Sequence, residues 1–249
     1  MLVLENISLA PEDSQNGKIE ILKDINLQLR VGRMYALTGP NGGGKSSLAR
    51  VIMGLYHPTS GRILLEGEDI TGLSATERAH RGFGYAFQNP PKFKGLKVAD
   101  LLEIASRNSP LPGCQPLRQI GLCPEDYLQR ELDGSLSGGE AKRIEIATIL
   151  AQNPRIRIFD EPEAGIDLWS FGRLIKLIVD SHQPDRISVI ISHQEKIMNL
   201  VDEIILITEG TVELQGERDH IWPQIKNGTI CPCLQSCFQD GENHVDCPR

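Results

Sequence analysis

No apolar stretch in this 249-residue sequence approaches the roughly 20 consecutive residues that a bilayer-spanning helix needs; the longest, Ile187–Ile191 and residues 204–207, are only strand-length. A membrane-spanning helix is therefore not expected. Positive charge is also scarce, with 26 Lys and Arg against 33 Asp and Glu and a formal net charge of -7. That balance argues against a surface that grips DNA, RNA or anionic lipid through phosphate charge alone, so nucleic acid is not an expected partner. The first ten residues carry no basic segment and soon meet acidic ones, so no secretory leader is expected and the chain reads as cytoplasmic. Internal repeats and low-complexity tracts are missing too. What is present is an ordinary globular balance, 40% hydrophobic against 24% charged, which excludes global disorder and suits one large α/β domain or two small ones.

Hydrophobic periodicity predicts strands over residues 2–8, 19–29 and 34–38, with a polar break at 11–17. A glycine-rich loop follows the third strand and opens a helix over 46–53 that stops at Gly54. Residues 60–67 read as a hairpin arm, Ser74 and Glu77 form a capping box for a short helix, and 83–88 return as a strand. From 89 to 135 prolines punctuate apolar-periodic pieces, which predicts a small, mostly helical insert. A helix over 138–151 carries Ile144, Ala147, Leu150 and Ala151 on one stripe. Strands at 156–159, 187–192 and 204–208 and a helix at 168–180 complete the pattern. This alternation implies a mostly parallel sheet flanked by helices.

Three clusters carry chemistry. Gly39, Pro40, Asn41, Gly42, Gly43, Gly44, Lys45 and Ser46 satisfy G-x-x-x-x-G-K-[ST] between a predicted strand and a predicted helix, with Ser47 next. Glycines let the backbone N–H groups wrap a polyphosphate, and the helix N-terminus adds a favourable dipole. Lys45 then sits on the β- and γ-phosphates, and the Ser46 hydroxyl ligates the Mg²⁺ that bridges them. Asp160 and Glu161 end a predicted parallel strand, where they would face that loop. Asp160 is the candidate Mg²⁺ partner and Glu161 the candidate base for water. Ser137, Gly138 and Gly139 open the third helix as a second anion-binding terminus.

The run Leu136-Ser137-Gly138-Gly139-Glu140, between a phosphate loop and an Asp-Glu strand end, resembles the signature of ABC-type ATPases over about residues 1 to 220. The resemblance implies a P-loop NTPase fold of ABC type: a mixed, mostly parallel α/β sheet, an antiparallel N-terminal β subdomain and a small helical subdomain at 89–135. It implies ATP and Mg²⁺ as cofactors. It also implies a dimer in which Ser137 to Gly139 of a second copy close each nucleotide site. Gln88 resembles the Q-loop glutamine that reaches Mg²⁺ or water, Asp167 the D-loop aspartate at the dimer seam, and His193 the switch histidine near the γ-phosphate. Two positions depart from the pattern. Asn16 stands where an adenine-stacking aromatic is common, which weakens base recognition and leaves triphosphate recognition untouched. Glu163 adds a third acid after the Asp-Glu pair and is read as a solvated charge in preference to an ion-pair partner.

About ninety residues separate the phosphate loop from the signature, too few for the long coiled coils of chromosome-maintenance or double-strand-break ATPases. Residues 87–91, 95–98, 138–145 and 192–197 resemble the SufC-like ATPase of iron-sulfur cluster assembly, with Lys142 where transporter motors usually carry glutamine. That resemblance implies a SufB/SufD-like scaffold as partner. The alternative is the ATP-binding motor of a membrane transporter, partnered by a transmembrane permease. Either partner is expected on the insert, with Phe93, Leu96 and Val98 as apolar anchors or, equally, as core residues. Cys231, Cys233, Cys237 and Cys247, with His244, crowd a tail at 221–249. They supply soft ligands for zinc or an iron-sulfur cluster, against the alternative of a reduced, metal-free tail.

Overall fold

The protein is described by a computed structural model covering residues 1–10, 20–107 and 115–227. The Asn16 position and the cysteine-rich tail beyond residue 227 lie outside the described residues. The chain opens with β1 (Leu2–Leu9), β2 (Leu22–Leu29) and β3 (Arg33–Thr38), which leads through the glycine-rich loop into α1 (Lys45–Met53). β4 (Ser60–Leu65), β5 (Glu68–Asp69) and α2 (Ala75–His80) precede β6 (Phe83–Ala86). The insert holds β7 (Phe93–Lys97), α3 (Val98–Ser106), α4 (Gln115–Gln119), α5 (Pro124–Tyr127) and β8 (Glu131–Leu132). It is followed by α6 (Gly138–Gln152), β9 (Ile156–Asp160), α7 (Leu168–Asp180) and β10 (Ile187–Ile191). The last described elements are α8 (Glu195–Met198), β11 (Glu203–Thr208), β12 (Thr211–Glu217) and α9 (Arg218–Lys226).

Two sheets divide the work. A six-stranded sheet in the order β12-β11-β3-β10-β9-β6 is parallel from β11 to β6, with β12 antiparallel at its edge. A four-stranded antiparallel sheet, β2-β1-β4-β5, forms the N-terminal layer. Because side chains alternate along a strand, the central sheet is apolar on both faces, which is why its strands read as continuous hydrophobic runs. Met34, Ala36, Phe159 and Ile190 point into one core with α3, α6 and α7. Tyr35, Leu37, Ile158 and Val189 point into the other, with α1 and the antiparallel sheet.

The helix expected over 138–151 is buried more widely than its single stripe implied: Lys142, Ile144, Ile146, Ile149 and Ala151 are all buried, because α6 lies between the central sheet and the helical insert. The insert is not purely helical. β7 and β8 add a two-stranded antiparallel sheet whose residues are mostly exposed, so no apolar alternation marks them in sequence. β12 was equally silent, since as an edge strand its residues alternate only between exposed and half-buried. Of the expected docking anchors, Val98 is fully buried and Leu96 packs against the core, while Phe93 is 42% exposed.

Candidate active site

The phosphate loop sits where β3 ends and α1 begins. Gly39 has φ +136, and a Cβ there would come within 1.9 Å of the Ile207 carbonyl oxygen, so only glycine fits between the loop and β11. Gly44, at φ +102, caps α1 and starts the helix one residue earlier than the spacing predicts, at Lys45. Asn41 and Gly42 are exposed at the loop tip, Gly43 is buried beneath them, and Ser47 lies in the first turn of the helix. The Lys45 side chain curls into the loop and donates to the carbonyl oxygens of Gly39 and Pro40, each at 2.8 Å. Burial lowers its pKa, against the opposing pull of Glu161 and Asp160.

Asp160 is the last residue of β9 and fully buried. The Ser46 hydroxyl donates to its Oδ1 at 3.0 Å, and the Tyr85 hydroxyl to its Oδ2 at 2.7 Å. Ser46 and Asp160 thus present hard oxygen donors side by side at the mouth of the loop, a donor set that fits Mg²⁺ sharing its shell with phosphate oxygens and water. Among the described residues no group of three or more His, Cys, Asp or Glu could hold a metal unaided. Tyr85 was not anticipated; its position inside a strand gives no signal of what its hydroxyl meets 75 residues on.

Glu161 follows with φ +44, a left-handed backbone rarely taken by a residue with a side chain. Its N–H donates to the Ile191 carbonyl at 3.0 Å, tying the turn to β10. Its Oε2 accepts from the Gln88 amide at 2.8 Å, so the residue that opens the insert is fastened to the residue that ends the acidic pair. His193 follows β10 and is exposed. Partial loss of hydration and then the Lys45 charge lower its pKa, partly offset by Glu161, which brings His193, Lys45 and Glu161 into one electrostatic neighbourhood. With its pKa below the ordinary 6.5, the imidazole gains its proton only as pH falls under that value; a ring-proton NMR titration is expected to place its midpoint below 6.5. A midpoint above 6.5 in nucleotide-free protein contradicts the placement.

Glu163 is not a solvated charge. Its Oε1 accepts from the Ser192 hydroxyl at 2.5 Å, its Oε2 is buried with no hydrogen-bond partner among the described residues, and burial raises its pKa. The chain's return past β10 carries Ser192 over the turn that follows Glu161, a proximity that only the parallel pairing of β9 with β10 creates.

Ser137 caps α6 through a reciprocal pair with Glu140: its hydroxyl accepts the Glu140 N–H at 3.3 Å, and its N–H reaches Glu140 Oε2 at 2.8 Å. A hydrogen bond from Tyr127, then those from Ser137, hold the Glu140 carboxyl down to about 2. Ser137 and Gly138 are exposed, and a Cβ at Gly139 would stand 2.7 Å from the Gly165 carbonyl oxygen, so the signature turn packs on residues 164–167. Asp167 caps α7, accepting from the N–H groups of Trp169 at 3.0 Å and Ser170 at 2.9 Å. Among the described residues no hydrogen bond joins 137–139 to the phosphate loop of the same chain, whereas Lys45, Ser46, Asp160, Glu161, Gln88 and His193 converge on one end of the central sheet.

The sequence profile of the ABC transporter family matches residues 22–164. The chain is similar to an uncharacterized ABC transporter ATP-binding protein of Methanocaldococcus jannaschii, 40% identical over 216 residues that cover 81% of this chain and 84% of that one. It is also similar to the lipopolysaccharide export system ATP-binding protein LptB of Acidithiobacillus ferridurans, at 35% identity over 81% of this chain and 86% of that one. The sulfate/thiosulfate import ATP-binding protein CysA of Mannheimia succiniciproducens is 33% identical over 83% of this chain, but the match spans only 60% of CysA. Among solved structures, a nucleotide-free ATP-binding cassette from an ABC transporter superposes with a TM-score of 0.74 at 27% identity, covering 97% of this chain and 99% of that one. The phosphate loop, the acidic strand end and the signature turn thus stand on the fold of an ATP-binding cassette, and the chain belongs to the ABC transporter family as an ATP-hydrolysing, Mg²⁺-dependent cassette.

Proposed function

We propose that this chain is the ATP-binding motor subunit of a membrane transporter, working as a pair of cassettes beneath a transmembrane permease. The names of the relatives, import and export ATP-binding proteins, support this reading. The observation that carries it is the Gln88–Glu161 hydrogen bond, which fastens the root of the helical insert to the hydrolytic end of the sheet. A partner pressing on the insert therefore acts on the residue nearest the chemistry. Beside the insert, a groove of about 560 Å³ opens between α2, α3 and the end of α6, lined by Ala79, Leu101, Ile104, Ala105 and Pro154 among others. Ile104, 52% exposed on its rim, suits an apolar helix face from a permease.

Within each site, the amides of residues 39–47 and the Lys45 ammonium would bind the phosphates, and Ser46, Asp160 and Gln88 would hold Mg²⁺, which would supply neutralisation of phosphate charge. Glu161 orients the attacking water and accepts its proton, His193 stabilises charge on the γ-phosphate, and Ser137, Gly138 and Gly139 of a second copy close the site from across the dimer, with Asp167 beside the seam. The sequence suggests a cassette over 1–220 and a tail at 221–249, but α9 crosses that boundary and buries Ile221 in the core, so the cassette takes in α9, with its insert at 89–135 and the cysteine-rich tail following it. No described helix is long and apolar enough to cross a membrane. In this reading the chain sits peripherally against the cytoplasmic face of the permease.

A second reading keeps the SufC-like role, with a SufB/SufD-like scaffold in place of the permease. It rests on the sequence resemblance of residues 87–91, 95–98, 138–145 and 192–197 alone, whereas the names of the relatives are those of import and export proteins. Affinity purification from the native cell in mild detergent under anaerobic conditions separates the two. A polytopic membrane protein in stoichiometric amount is the expected partner; a scaffold carrying iron would replace the transporter reading with the cluster-assembly one. Ile104→Glu is expected to abolish that co-purification while the purified variant still binds ATP.

A further inference from the structure

Lys142 is a fully buried lysine in a helix that otherwise buries only apolar side chains on that stretch. Its ammonium donates to the carbonyl oxygens of Phe87, of Gln88 at 3.5 Å and of Asp160 at 3.0 Å. One helical turn on, Glu145 stands 3.6 Å from the same ammonium and accepts the Phe87 N–H at 2.9 Å. Both backbone polar groups of Phe87 are therefore held by α6. The same ammonium lies in the field of Glu163, whose carboxylate takes the Ser192 hydroxyl at 2.5 Å. That hydroxyl in turn accepts the Gln194 N–H at 3.0 Å, so His193 is bracketed by its two neighbours.

A buried ammonium is costly unless its three donors are filled, and here they are filled by the segments that carry Gln88 and Glu161. An interior that needed only packing at this position would be served as well by an apolar side chain, since a buried ion pair often adds nothing over a hydrophobic pair of similar volume. Lys142 is also five residues from Ser137 on a continuous helix, about 7.5 Å along its axis. The signature turn and the Gln88 backbone are thus joined by a rigid rod with no loop between them.

We propose that Lys142, with Glu145 and Glu163, is a positioning residue that locks the signature helix to the Gln88 segment, the Asp160–Glu161 strand end and the His193 loop, so that engagement of the signature by a second copy is felt as alignment of the hydrolytic groups. This rests on the roles given above to Gln88 and Glu161. The double variant Lys142→Met with Glu145→Leu removes both buried charges together and leaves no unpaired ion at the Phe87 contact. Because the Phe87 N–H and the Phe87 and Asp160 carbonyls lose their partners, it is expected to stay folded with a lowered melting temperature and to bind ATP with a KM within about threefold, while kcat falls about 10²-fold, the loss that a displacement near 1 Å produces at a reacting centre. Lys142→Arg, which keeps the charge and its donors, is expected to recover at least a tenth of the wild-type kcat.

A folded double variant with wild-type kcat would reduce Lys142 to packing and overturn the proposal. Equal losses in KM and in melting temperature, with Lys142→Arg no better than the double variant, would do the same by showing general loosening. Glu161→Gln run in parallel tells which layer has failed. Wild-type turnover in that variant removes the assignment on which the proposal stands, whereas a dead Glu161→Gln beside an active double variant rejects the proposal alone.

Discussion

Glu161→Gln is expected to bind ATP and Mg²⁺ as tightly as the parent chain while losing turnover by about 10²- to 10⁴-fold, the range that a positioned general base contributes. The amide is isosteric, so the φ +44 turn and its tie to the Ile191 carbonyl are kept, and Gln88 can still donate to the remaining carbonyl oxygen. What is lost is an oxygen basic enough to take a proton from water. Binding should hold or tighten, because Glu161 is the larger of the two negative fields acting on Lys45, and its removal leaves that ammonium more available to a triphosphate. With closure uncoupled from hydrolysis, the pair of cassettes should persist as a stable dimer in ATP. Phosphate release, calorimetry and light scattering measure the three effects; turnover at the parental rate would remove Glu161 from the chemistry.

Lys45→Ala should fail one step earlier, at binding. Within the loop the ammonium donates to the Gly39 and Pro40 carbonyls at 2.8 Å, which holds it among the amides proposed to bind the phosphates. A hydrogen bond to a charged group is worth about 1.5–3 kcal/mol, so losing one or two such contacts raises the Kd for ATP by at least ~10- to 100-fold. Lys45→Arg should not rescue it. The planar guanidinium cannot set one compact charge against both the Gly39 and the Pro40 carbonyl as the buried ammonium does. Unaltered nucleotide affinity in Lys45→Ala, by calorimetry at constant Mg²⁺, would place the phosphates elsewhere.

The parts of this site that depend on short-range pattern were legible in the sequence. The glycine spacing of 39–44, the acids closing an apolar run at 160–161 and the helix start at Ser137 to Gly139 each need only a few adjacent residues to declare a backbone shape. The doubly covered parallel sheet was legible for the same reason, from runs such as Ile187–Ile191. Tyr85, Lys142, Glu145 and Glu163 were not, because what each side chain meets is decided by the stacking of α6 on the central sheet or by the pairing of β9 with β10. Glu163 shows the error most plainly: an extra acid after two others looks like surface charge until Ser192 is brought against it. The SufC-like reading leaned on Lys142, yet Lys142 serves the interior of the cassette and says little about what docks outside.

The left-handed turn at Glu161 sets durability against activity. A side chain at φ +44 costs on the order of 1–3 kcal/mol relative to a relaxed backbone, and glycine would remove that cost. Selection for heat resistance alone would therefore accept glycine at 161 and discard the carboxylate with it. The glutamate found there keeps an acid pinned where the sheet ends at some cost in durability, and any stabilisation campaign on this cassette that ranks variants by melting temperature should be expected to drift toward an inert fold at this single position.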